Sequence, residues 1–129
     1  MAHPIEIILT RQLAEYLSVP LLLVDSKGDL LFYNEPAESI LGQRFEDTGS
    51  MPPEQWSKSF TAVDEEGHAI APDEMPLMVT LSTRMPAHRR LHLVDGEHGV
   101  RAIEVTSIPI AGLHGDFLGA AAMFWVLPK

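Results

Sequence analysis

Apolar and polar positions alternate along this chain with two distinct periods. From Pro4 to Leu17 the apolar residues Ile5, Ile8, Leu9, Leu13, Tyr16 and Leu17 recur at three- and four-residue intervals. Glu6, Arg11 and Glu15 fall elsewhere, a pattern that predicts an amphipathic helix. Pro4 suits its first turn, and Pro20 stops it by disfavouring helical geometry at Val19. Two apolar runs, Leu21 to Asp25 and Leu30 to Asn34, flank Ser26-Lys27-Gly28-Asp29 and predict a tight β-hairpin. Asn34 or Glu35 then caps a short helix, Pro36 to Leu41, closed by Gly42.

The middle of the chain is less regular. Phe45 to Pro53 carries Gly49, Pro52 and Pro53 and reads as loop, and Pro53 to Phe60 reads as one or two helical turns with Trp56 and Phe60 on one side. Val63 to Ile70 predicts a turn around Glu66-Gly67. Asp73 is the expected cap of a helix from Glu74 to Arg84, with Met75, Leu77, Met78 and Leu81 along one side and Pro86 ending it.

Three strand-like runs close the chain: Ala87 to Val94, Val100 to Ile110 and Phe117 to Leu127, separated by turns at Asp95 to Gly99 and Gly112 to Gly115. The last run is apolar at both parities, Phe117, Gly119, Ala121, Met123 and Trp125 on one and Leu118, Ala120, Ala122, Phe124 and Val126 on the other. An antiparallel strand wet on one side alternates, so this one asks for cover on both sides. The short helices cover one face. The N-terminal helix, or a second copy of the chain, covers the other, which predicts a homodimer with Ile5, Ile8, Leu9, Leu13 and Phe124 at its interface.

Composition narrows the class. With 129 residues, 46% of them hydrophobic and 21% charged, the chain fits one globular domain. The net charge of −9 makes nucleic acid and anionic membrane poor partners. No apolar run reaches the roughly 18 residues of a membrane span, and no secretory signal pattern opens the chain, so the expected location is cytoplasmic. There is no cysteine, which removes disulfides, thiolate metal sites and thiol nucleophiles.

Several motifs together resemble the PAS domain family. The run PLLLVDSKGDLLFYN from Pro20 to Asn34 looks like that family's opening hairpin, with a D-x-x-G turn and a second strand ending in Asn. PAESILG from Pro36 is similar to the helix that follows, and PDEMPL from Pro72 to the start of the family's long helix. RAIEVTSIP from Arg101 and GDFLG from Gly115 resemble the last two strands. The resemblance covers about Ser18 to Val126, giving an N-terminal helix over 1–17 and a PAS domain over 18–129. It implies an α+β fold, a five-stranded antiparallel sheet flanked by short helices with an internal pocket. It also implies a stand-alone signal-sensing module rather than an enzyme. The common Asp-Ile-Thr ending is absent, since the chain closes Trp125-Val126-Leu127-Pro128-Lys129. Any output therefore lies in a separate protein, in a dimer, or in sequence beyond this chain.

The candidate chemistry is sparse. His88 and His92 share one strand face roughly 13 Å apart, too far to chelate one metal, and Arg89 and Arg90 beside them mark a solvated strand. His98 and His114 fall in turns. The expected long helix holds no histidine for haem, and a cysteinyl–flavin bond is excluded, whereas non-covalent haem or flavin stays open and neither is required. Asp64-Glu65-Glu66 reads as solvated charge, and no nucleophile elbow, phosphate loop or zinc-protease motif occurs. Three readings follow. The first is a sensor of a small apolar or aromatic ligand held by Phe32, Phe45, Trp56, Met75, Leu81, Ile103, Val105 and Met123. The second is a ligand-free dimerisation or docking module, and the third a haem or flavin sensor.

Overall fold

The computed structural model describes residues 5–41, 61–95 and 99–127. The loop and helical turns expected between Phe45 and Phe60, and the turn at His98, lie outside them. The elements run α1 (Ile5–Tyr16), β1 (Leu21–Asp25), β2 (Leu30–Tyr33), α2 (Glu35–Leu41) and β3 (Thr61–Val63). A 3-10 turn (Pro72–Glu74), α3 (Pro76–Thr83), β4 (Ala87–Asp95), β5 (Gly99–Ala111) and β6 (Phe117–Val126) follow.

The strands form one sheet in the order β2-β1-β6-β5-β4-β3, antiparallel at every pairing. The last strand in sequence is thus a central one, between β1 and β5, which explains why it is apolar at both parities. The opening hairpin is held by its own turn: Asp25 Oδ1 accepts the N–H groups of Lys27 (2.9 Å) and Asp29 (3.0 Å). Among the described residues the sheet has six strands, where five were expected. The extra strand, β3, spans only three residues, too few to show a period, and pairs with His92 to Val94 of β4. The turn predicted beside it is present, with Gly67 at φ 87° and Asp64 N–H donating to His68 O at 2.9 Å.

The start of α3 differs from expectation. Asp73 lies in the 3-10 turn and does not cap α3; the helix begins at Pro76, with Met75 as an extended N-cap at φ −69°, ψ 142°. The cause is local, since a residue before proline is pushed out of helical geometry. At the other end Arg84 turns left-handed and its N–H donates to Thr80 O at 2.7 Å.

Two apolar clusters lie on opposite sides of the sheet. The inner one joins α2 and α3 to Leu22, Val24, Leu91, Ile103, Val105 and Phe124. The outer one seats α1 against Leu21, Leu23, Phe32 and Ala121, with Met123 packed beside them. From Ala120 to Phe124 each cluster covers one parity of β6, while Leu118, on the other side of Gly119, packs with the outer cluster. The two faces of β6 are however exchanged relative to the sequence reading. Phe124, expected at an interface, is 3% exposed in the inner core. Met123, expected in the inner pocket, packs on the α1 side, and so does Phe32. Alternation fixes which residues share a face, and the neighbours then decide which face is inside.

Candidate ligand and interaction surfaces

On the inner side, α3 lies across β4, β5 and β6. Leu77 is buried, while Met75, Met78 and Leu81 are half-buried against the inner cluster that contains Ile103 and Val105. Four of the eight residues expected to hold a ligand, Met75, Leu81, Ile103 and Val105, are therefore brought together. Phe32 and Met123 are on the opposite side, and Phe45 and Trp56 lie outside the described residues.

One polar device joins α3 to the sheet within this apolar layer. The hydroxyls of Thr80 and Ser107, both fully buried, are hydrogen-bonded to each other. Ser107 Oγ also donates to Pro76 O at 2.8 Å, so Thr80 supplies the proton shared by the two hydroxyls. Neither residue was singled out from sequence, although Ser107 continues the inward parity of Ile103 and Val105. At the C-terminal end of α3 the Arg84 guanidinium lies 5.2 Å from the centre of the Phe117 ring.

The outer side is covered only in part. α1 packs down through Ile7 and Ala14, with Thr10 and Leu17 half-buried beside them. Its broader apolar stripe points away: Ile5 is 64% exposed, Ile8 42%, Leu9 55% and Leu13 59%, with Tyr16 also outward. Periodicity located this stripe but placed Leu17 on it, and Leu17 packs with the outer cluster instead. Arg11 stacks over Phe32 at 4.8 Å, closing the helix against the β2 edge. Beyond α1, Ile108 and Trp125 remain partly exposed, and Ile108 is directly opposite Ala121 of the α1 seat.

The rest of this face is polar. His88 Nδ1 and Thr106 Oγ1 are 2.8 Å apart, and Arg90 Nη2 donates to Glu104 Oε1 at 3.3 Å. His88, exposed, also has Nε2 3.9 Å from that carboxylate, an ordinary solvated cross-strand ladder. His114 is exposed in its turn. At the Asp64–His68 turn the ligand atoms of Asp64, Glu66 and His68 lie within 4.8 Å of one another. The N–H of His68 holds the Asp64 carboxyl below its ordinary value of 3.8 against an opposing desolvation, with lesser help from the Glu66 N–H and the His68 ring.

Asn34 stands where the two sides meet. It is 2% exposed at the end of β2, and both halves of its carboxamide are fully used. Nδ2 donates to Ala14 O (3.0 Å) and Val19 O (2.9 Å). Oδ1 accepts the N–H groups of Leu21 (3.0 Å) and Ala37 (3.2 Å), the second being the N-cap bond of α2. The sequence marked Asn34 as a helix cap and gave no sign of its reach to α1.

No protein-family model and no curated protein matches the sequence. Solved structures do match. The PAS domain of BvgS from Bordetella pertussis superposes with a TM-score of 0.70 at 16% identity, over 98% of this chain and 89% of that one. The PAS domain of the fruit-fly ELK potassium channel gives 0.70 at 12% identity, over 99% and 100%. The chain has the PAS fold. A light-oxygen-voltage protein of Rhodobacter sphaeroides has the same architecture, with a TM-score of 0.71 at 15% identity over 98% of this chain and 70% of that one. Within this PAS fold β3 is the added edge strand and α1 the helix that lies across the outer face of the sheet. Among the described residues no helix is long and apolar enough to cross a membrane.

Proposed function

We propose that this chain is a non-enzymatic, cytoplasmic signal-sensing PAS module that relays its state through self-association. The observation that carries the reading is the direction of α1. A helix with its polar side outward would only complete the core, whereas this one keeps four half-exposed aliphatic side chains in a row facing away from the sheet. A second copy is the occupant that fits, because each copy offers the same apolar row together with Ile108 and Trp125. The chain's net charge of −9 adds long-range repulsion between copies, so the apolar contact must overcome it. The absence of cysteine suits a reducing compartment.

Ile8→Asp with Leu9→Asp tests the interface without touching the core, since the two side chains are 42% and 55% exposed. Together they withdraw about one side chain's worth of burial per protomer, roughly 3–6 kcal/mol per dimer. The dimer Kd should then rise by at least about a hundredfold. Sedimentation across a concentration series reads this, and an unchanged mass distribution in the double variant removes α1 from the interface.

A second reading concerns the input. The half-buried Met75, Met78 and Leu81 over Ile103 and Val105 form the flexible apolar lining suited to a small apolar or aromatic ligand. Binding there would favour one seating of α3 on the sheet over another. Native mass spectrometry reads such a ligand as mass lost on denaturation.

A further inference from the structure

We propose that Asn34 is a positioning residue that seats α1 on the sheet and so governs how its apolar outer row is presented, a regulation that rests on the self-association reading above. An Asn side chain has two donor hydrogens and two acceptor lone pairs, and here all four are committed. The division of labour is sharp. Both donors go to the end of α1 and its connector, at Ala14 O and Val19 O. Both acceptors serve the sheet and α2, at Leu21 N and Ala37 N.

The two halves therefore belong to different sides of the molecule. Ala37 packs in the inner cluster and Ala14 in the outer one, and Asn34 reaches both around the β2 end of the sheet. Its main chain is fixed too: Asn34 N–H donates to Leu21 O at 3.2 Å, and Glu38 N–H to Asn34 O at 3.1 Å. Any shift of the first turn of α2 moves Oδ1, and the rigid amide carries Nδ2 with it. The seat it acts on is narrow, since only Ile7 and Ala14 of α1 are fully buried. Ala14 O is one of the helix's last carbonyls; it accepts the Leu17 N–H at 3.3 Å, and Asn34 Nδ2 at 3.0 Å is its second partner and the one that ties it to the sheet. Two bonds at the C-terminal end thus weigh heavily in whether α1 stays down.

Asn34→Asp separates the halves, because a carboxylate still accepts from Leu21 and Ala37 but has nothing to donate to Ala14 and Val19. Hydrogen exchange read by mass spectrometry at a dilution favouring monomers should show α1 amides exchanging at least about tenfold faster, the change expected from losing two ordinary hydrogen bonds. Amides of β1, β5, β6 and α2 should stay within about twofold on the same scale. At higher concentration the variant should also shift toward monomer. Unchanged α1 exchange in the folded variant overturns the proposal, as does acceleration spread evenly over the sheet. A released α1 with an unaltered dimer overturns the regulatory part. If Asn34→Asp does not fold, Asn34→Ser keeps a neutral N-cap for α2, lacks the reach to α1, and is held to the same outcomes. A monomeric wild type would refute the self-association reading by itself, while the exchange comparison would still decide whether Asn34 seats the helix.

Discussion

Replacing the buried Gly119 by alanine should be among the most damaging single changes among the described residues of the sheet. Gly119 lies opposite Asp25 where β6 pairs with β1. A Cβ at this position would fall well inside the closest approach to Val24 O and 3.2 Å from the Asp25 Cα. These obstacles are main-chain atoms of the neighbouring strand, so no rotamer change relieves them. Two escapes exist. The strands separate locally, at a strain of the size seen in overpacked cores, roughly 1–3 kcal/mol. Alternatively the end of β1 peels away and one or two ladder bonds are lost, at about 1 kcal/mol each together with some exposed apolar surface. Either route, added to the strain of a side chain at φ 157°, gives a loss of about 2–6 kcal/mol, or roughly 7–22 °C in Tm for a domain of this size. Gly67→Ala is the matched control. Gly67 has φ 87° but nothing within 4 Å of an added Cβ. Its cost is conformational, about 1–2 kcal/mol, offset in part by a stiffer unfolded chain. Thermal and denaturant unfolding of both variants reads the contrast. A Gly119→Ala protein as stable as Gly67→Ala would refute the close β1–β6 approach and the α1 seat built on Leu21, Leu23 and Ala121.

The remaining predictions concern polar groups. Ser107→Ala removes the partner of the buried Thr80 hydroxyl and should cost about 1–3 kcal/mol. Adding Thr80→Val should recover part of that loss, because no buried hydroxyl is then left unpaired; strictly additive losses in a double-mutant cycle would contradict the pair. Asp64 titrates below its ordinary value of 3.8, chiefly through the N–H of His68. Its folded-state contribution is therefore present above the unfolded pKa and lost as pH falls through the folded one. Asp64→Asn should flatten the acid limb of the stability–pH curve, and parallel curves for the two proteins would sink the assignment.

What the sequence revealed depended on how far each interaction reaches along the chain. The opening hairpin was legible because Asp25, Gly28 and Asp29 make their turn within five residues. The central place of β6 was implied by its two apolar parities, although which parity met α3 was not, so Met123 and Phe124 were exchanged. The amphipathic stripe of α1 was visible, but its direction was set by small Ala14 meeting the sheet, not by the largest side chains. The hydrogen bond between Thr80 and Ser107 crosses 27 positions, and that from Asn34 to Ala14 crosses 20. No local pattern marks such pairs. Four of the expected pocket residues converge because Met75 and Leu81 belong to α3 and its cap, Ile103 and Val105 to β5, and these two elements pack together.

Native mass spectrometry of the freshly purified wild-type protein, compared with its denatured mass, tests the central claim most directly. Self-association through α1 predicts a species at twice the chain mass of 14.3 kDa. An additional component lost on denaturation would identify the input as a bound small molecule. A bare monomer across the concentration range would contradict the account and leave the outward row of α1 without the partner proposed for it.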